Sequence, residues 1–232
     1  MLINTLLYGR SVLDFENSKK RVITIHFPLY SNVKKLYVGL HSQAMLEQAP
    51  DYKCKGEVVY YGSSITQGGC ASRPGNSYQA IISRLLDCDH VNLGFSGSAM
   101  GEDAITDYIN TLEMRCFVMD YDYNAPSVEY LDSTHERMFK KIRNHNPQLP
   151  IVILTRPAFH LTNEERCRLA VAEKTYRNAV EHGDENVYFI KGCDLISPEL
   201  AEIATVDGTH PNDSGFSSMA YKLCEVLKNI LE

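Results

Sequence analysis

From residue 56 onward, short apolar runs alternate with longer amphipathic stretches, and this rhythm confines the chain to βα units built on a mostly parallel sheet. The runs at 57–61, 90–93, 116–120, 150–155 and 187–190 are rich in Val, Ile, Leu or Tyr, as short buried parallel strands should be. Helical patterns occupy 77–86, 102–112, 133–145, 163–182 and 214–230. In the last of these, Met219, Leu223, Val226, Leu227 and Ile230 recur at i, i+3 and i+4 spacing and form one apolar stripe. Asp213 or Ser214 is expected to cap that helix, and Thr162 with Glu165 spells a capping box for the one before it.

Residues 1–55 break the rhythm. RVITIHF alternates, with Val22, Thr24 and His26 on one face and Ile23, Ile25 and Phe27 on the other. VKKLYVGL is a second strand candidate, and residues 28–32 supply the turn between them. The expectation is a small antiparallel β segment over 1–55 ahead of an α/β domain over 56–232. Such a segment is too small to bury a core alone, so it should pack against the α/β part or a neighbouring chain.

Apolar residues make up 44% of the 232 and charged residues 22%, which suits a chain that buries a real core. The formal charge of −6, with no Lys/Arg cluster, argues against nucleic acid or an anionic membrane as a partner. A small neutral or weakly polar ligand fits better, and a homo-oligomer is compatible with the sequence. No run approaches the apolar length of a membrane-spanning helix. The first basic residue, Arg10, follows the apolar MLINTLLYG, so a secretory signal reads poorly there. The expected location is cytoplasmic, with a secreted mature form left open. Seven cysteines are scattered without a CxxC pair, which suits free thiols better than a disulfide framework or a metal site. GSSITQGG spells neither GxGxxG nor a P-loop, so no nucleotide cofactor is expected.

The candidate chemistry gathers in a few stretches. In EVVYYGSSITQG an apolar strand runs straight into a helix through a small-residue turn, which would expose a serine at the carboxyl edge of the sheet. A serine hydroxyl there needs a base, and the base needs an orienting group. In ATVDGTHPNDSGF, Asp207 and His210 stand three apart on a turn, where a carboxylate can hold one imidazole nitrogen while the other points elsewhere. The plain alternative is that Asp207 and Gly208 merely form the turn and Asp213 caps a helix. Asp120 and Asp122 read as hydrogen-bonded turn carboxylates rather than a metal pair. Arg73, in the loop after the serine turn, either reaches a substrate or pairs with an acid such as Glu102. His160 reads as an exposed loop histidine.

The ordered set GSSIT, NLGFSG, DYDYNAP and DGTHPN resembles the GDSL or SGNH hydrolase superfamily over roughly residues 56–232. The resemblance implies a three-layer α/β/α, flavodoxin-like fold with a five-stranded sheet, and a serine hydrolase acting on acyl esters without a cofactor. It implies Ser64 as nucleophile, with Ser63 in the place where the family usually has Asp, and His210 and Asp207 as base and orienter. It also implies an oxyanion hole from the N–H groups of Ser64 and Gly97 and the Asn124 amide. The departures are Asp122 and Ala125 on either side of Asn124, and for Gly97 the plain alternative is a βα turn glycine beside Gly94 and Gly101. The similar branch often carries an N-terminal β domain, here shortened, and includes carbohydrate esterases. A short acyl group such as acetyl on a sugar is therefore expected. An acyltransferase, a thioesterase or lipase, and a noncatalytic binding module on the same scaffold are the alternatives.

Overall fold

The computed structural model describes residues 9–158 and 160–231. Its centre is a five-stranded, all-parallel sheet of β1 (Glu57–Gly62), β2 (Asp89–Gly94), β3 (Met114–Asp120), β4 (Ile151–Leu154) and β5 (Val187–Ile190), in the order β2-β1-β3-β4-β5. Six α-helices accompany it among the described residues: α1 (Ser64–Gln67), α2 (Tyr78–Leu86), α3 (Asp103–Ile109), α4 (Val128–His145), α5 (Asn163–Glu181) and α6 (Asp213–Leu231).

Strand alternation divides the core into two halves. Val58, Tyr60, Cys116, Val118, Val152 and Leu154 face α2 and α6, meeting Ile82, Phe216 and Leu223. Val59, Tyr61, Phe117, Met119, Ile151 and Ile153 face α3, α4 and α5, meeting Ile109, Met138 and Ala172. The result is the expected α/β/α arrangement, with helices on both faces of a sheet whose inner strands are buried on both sides. Strand order reverses at β1, so the crevice outside the carboxyl ends of β1, β2 and β3 is the topological switch point where such folds bind ligands.

Two helix starts differ from expectation. Helix α4 begins at Val128 rather than 133, because the Ser127 side chain accepts a hydrogen bond from the Tyr130 N–H at 3.2 Å and caps an extra turn. Helix α6 is capped by neither Asp213 nor Ser214. Asn212 does so, its side-chain oxygen accepting from the N–H groups of Ser214 (3.0 Å) and Gly215 (3.2 Å). The Thr162–Glu165 capping box of α5 is present as read.

The larger correction is in the N-terminal segment. Residues 9–55 carry no strand or helix, so the antiparallel pair expected from RVITIHF and VKKLYVGL is not formed among the described residues. Val22, Ile23, Ile25, Phe27, Tyr37 and Val38 are all exposed. Alternation gave the segment two faces, but neither face meets a layer that could bury it. The segment touches the α/β body at a bend over Leu29, Tyr30 and Ser31, and again near its end, where the Cys54 N–H donates to the Asp87 carbonyl at 3.1 Å. Among the described residues, no helix is long and apolar enough to cross a membrane.

Candidate active site

Gly62 ends β1 and Ser64 opens α1, so the chain reverses from strand to helix within two residues. The two adjacent serines are distinguished by their hydrogen bonds. Ser63 is the N-cap of α1, its hydroxyl accepting from the Ile65 N–H at 3.2 Å, and is committed to the backbone. The Ser64 Oγ instead lies 2.8 Å from Nε2 of His210. On the far side of that ring, Nδ1 is 2.7 Å from Oδ2 of Asp207.

The loop that carries this pair is closed on itself. Thr205 and Pro211 form an antiparallel bridge, and the Val206 N–H donates to the His210 carbonyl at 2.9 Å. Inside it, Oδ1 of Asp207 accepts from the N–H groups of Thr209 (2.9 Å) and His210 (2.7 Å). The backbone bond from His210, then its side chain, then the Thr209 N–H hold the Asp207 carboxyl well below its ordinary range. An ionised Asp207 assigns the proton to Nδ1 and leaves Nε2 as the acceptor facing the Ser64 hydroxyl.

Two side chains tie this loop to the rest of the edge. Arg156, just beyond β4, donates from Nη2 to the Thr209 hydroxyl at 2.9 Å, lies over the Tyr123 ring at 4.3 Å and pairs with Glu165. Asp213 accepts from the Ser72 N–H (2.9 Å), the Ser72 hydroxyl (2.6 Å) and the Asn76 amide (2.8 Å), fastening the start of α6 to the stretch after α1.

The N–H groups of Ser64 and Gly97 and the side-chain amide of Asn124 donate to no acceptor among the described residues. The Asn124 oxygen accepts from the Ala99 N–H at 3.4 Å, which places the amide beside the loop bearing Gly97. The nearby glycines divide their work. A Cβ on Gly94 would fall 2.0 Å from the Gln67 nitrogen, so Gly94 is the close-approach glycine that lets α1 pack on β2. A Cβ on Gly97 would meet nothing within 4 Å, and its φ of +68° is the reason a glycine stands there.

Beneath the turn, Asp120 accepts from the Thr66 hydroxyl (2.7 Å) and the Tyr78 hydroxyl (3.1 Å), and burial pushes its carboxyl up to about 6. Asp122 accepts from the Arg156 N–H at 2.9 Å and is pushed by burial to about 7. Both carboxylates are hydrogen-bonded, as read from the sequence, but only Asp122 stands in the turn; Asp120 is the last residue of β3. Arg73 is exposed, makes no side-chain hydrogen bond or ion pair among the described residues, and does not pair with Glu102; its charge helps hold Asp213 low. His160 is exposed. Sequence reading missed Arg156 and Thr209. The available signal was position alone, since an arginine directly after a central strand lies at the ligand-binding edge.

A hydroxyl facing an oriented imidazole can attack a carbonyl carbon. The sequence profile of the GDSL-like Lipase/Acylhydrolase family matches residues 55–228, and the chain belongs to this family. A search of curated proteins returned no match. Among solved structures, a GDSL-like lipase from Bacteroides ovatus is 29% identical, covering 89% of this chain and 62% of its own, with a TM-score of 0.78. This chain therefore spans less than two thirds of that relative. A salicylyl-acyltransferase from a tetracycline biosynthetic pathway is 19% identical, with 76% and 55% of the two chains covered and a TM-score of 0.66. A family two carbohydrate esterase from Clostridium thermocellum is 17% identical, with 80% and 67% covered and a TM-score of 0.62. These last two likenesses are of fold.

Proposed function

We propose that the protein is a serine esterase that removes a short acyl group, acetyl, from a hydroxyl of a carbohydrate. The observation that carries this reading is the continuous chain of hydrogen bonds from Ser64 through His210 to Asp207. His210 takes the Ser64 proton at Nε2 as the oxygen attacks the ester carbonyl. The N–H groups of Ser64 and Gly97 and the Asn124 amide receive the negative charge on the former carbonyl oxygen. Asp207 stabilises the imidazolium, which gives its proton to the departing alcohol. Water then gives a proton to His210 and attacks the acyl-enzyme, the carboxylic acid leaves, and the proton returns to Ser64.

The carbohydrate part rests on the fold shared with a carbohydrate esterase and with a two-domain esterase active on acetylated mannans. The acyltransferase likeness favours a second reading, in which an alcohol replaces water at the acyl-enzyme. Adding an acceptor alcohol and measuring transferred against hydrolysed product separates the two.

The test is labelling with an organophosphonate at neutral pH, alongside p-nitrophenyl esters of increasing chain length and acetylated oligosaccharides. Labelling is expected in the wild type and absent in Ser64→Ala, whose kcat should fall roughly 10⁴- to 10⁶-fold with the fold retained. A wild type that does not label refutes the esterase reading, and activity that peaks with long chains refutes the acetyl assignment.

A further inference from the structure

The bend at Leu29 and Tyr30 meets the α/β body at the turn that carries Ser64. A Cβ on Gly68 would lie 2.5 Å from Cδ1 of Leu29, and one on Gly69 would lie 2.8 Å from the Tyr30 hydroxyl and 3.6 Å from Cδ2 of His210. The two glycines thus form a seat that no side chain could share with the bend, and on it the phenol and the imidazole flank the same point. The Tyr30 hydroxyl makes a long hydrogen bond of 3.4 Å to the Ser64 carbonyl. Burial raises the Tyr30 phenol above its ordinary value, and the neighbouring Ser96 hydroxyl offsets part of the rise.

Gln67 connects this bend to the oxyanion side. Its Nε2 donates to the Leu29 carbonyl at 2.9 Å, and its Oε1 accepts from the Ser96 N–H, also at 2.9 Å. Ser96 directly precedes Gly97. One amide side chain therefore spans from the N-terminal segment to the loop that would supply an oxyanion donor. Tyr30 as a whole residue remains 54% exposed, so its hydroxyl is held while the residue stays accessible to a ligand.

We propose that this bend is a working part of the site: Tyr30 is the specificity-determining wall on the alcohol side of the ester, and Gln67 positions the Gly97 loop against it. The side follows from the chemistry of the esterase reading, on which the inference rests. The imidazole protonates the departing alcohol, so a group flanking the His210 ring faces the alcohol rather than the acyl chain. A half-exposed aromatic residue with a tethered hydroxyl suits a ring-shaped, amphipathic alcohol, whose apolar face it can cover. Residues 9–55 carry no strand or helix, yet through this bend the segment takes part in substrate choice.

The test compares ethyl acetate with cyclohexyl acetate, which share the acyl group and the reaction but differ in the bulk of the alcohol. Tyr30→Ala should lower the ratio of kcat/KM for cyclohexyl over ethyl acetate about tenfold, mainly through KM for the bulky ester. Tyr30→Phe, which keeps the ring, should restore that ratio to within about twofold of the wild type. Gln67→Leu should lower kcat on both esters together, about tenfold, as expected of a group that acts through the oxyanion loop. A ratio unchanged in Tyr30→Ala, or lowered as far by Phe as by Ala, overturns the role of Tyr30, and an unchanged kcat in Gln67→Leu overturns that of Gln67. Organophosphonate labelling distinguishes the failures. An unchanged ratio in a protein that labels defeats this inference alone, whereas a wild type that does not label defeats the esterase reading as well.

Discussion

The α/β body and the N-terminal segment have similarly apolar strand-like stretches and opposite fates. Val58, Val59, Tyr60 and Tyr61 of β1 are buried between two neighbouring strands and two helical layers. Ile23, Ile25 and Phe27 alternate as a strand should, but are exposed and belong to no ladder. The lesson is that periodicity specifies faces, while burial needs a second surface. A central parallel strand obtains that surface from the βα crossovers on each side of it, and residues 9–55 have no crossover to bring one.

Substituting glycines in the two regions should sharpen this contrast most strongly. Gly94→Ala forces a Cβ to within 2.0 Å of the Gln67 backbone and should cost about 3 kcal/mol or more in chemical denaturation. Gly39→Ala, with nothing within 4 Å, should stay within about 0.5 kcal/mol. Equal losses would mean that the segment is packed as tightly as the body.

Burial should also show in the pH dependence of stability. Asp120 is pushed from 3.8 in the unfolded chain to about 6 in the fold, so the fold favours its protonated form. The stability this confers is fully present below pH 3.8 and is lost as the pH rises through about 6. Asp120→Asn removes that dependence. Between pH 4 and pH 8 the unfolding free energy of the variant should gain on the wild type by about 1–3 kcal/mol. Parallel pH profiles would show that the carboxyl is not buried as described.

The smallest effect concerns two ion pairs. Arg156 and Glu165 have side chains only 12% and 17% exposed, whereas those of Lys20 and Glu47 in the segment are 75% and 55% exposed. Arg156→Ala releases Thr209 and should lower kcat about tenfold through misplacement of His210, with a smaller change in KM. Lys20→Ala should leave kcat within about twofold, since exposed pairs contribute little. A similar kcat for both variants would remove Arg156 from the positioning of the loop.

Much of the body was legible in the sequence because parallel strands and amphipathic helices write their burial into local pattern. All five strands fall where the apolar runs do, within two residues. The serine turn and the Asp207–His210 spacing were legible for a similar reason, since each is fixed by a few consecutive residues. What was not legible depends on tertiary approach. Nothing near Arg156 in the chain announces Thr209, 53 residues away, and nothing in HFPLYS announces that Tyr30 meets the Ser64 carbonyl. The Asp213 cap failed for a subtler reason. Asn212 and Asp213 are both good capping residues, and the carboxylate of Asp213 was drawn instead to Ser72 and Asn76.

The closed loop between Thr205 and Pro211 makes Asp207 and His210 neighbours by bonds within the loop itself. Tertiary structure is left to align the loop with the rest of the edge, through the hydrogen bond from the Ser64 hydroxyl to Nε2 of His210 and the one from Arg156 to Thr209. The loop is in effect a self-assembled cartridge. Small shifts of α6 or of Arg156 would move it as a unit, tuning the distance from His210 to Ser64 while the Asp207–His210 pair itself stays intact.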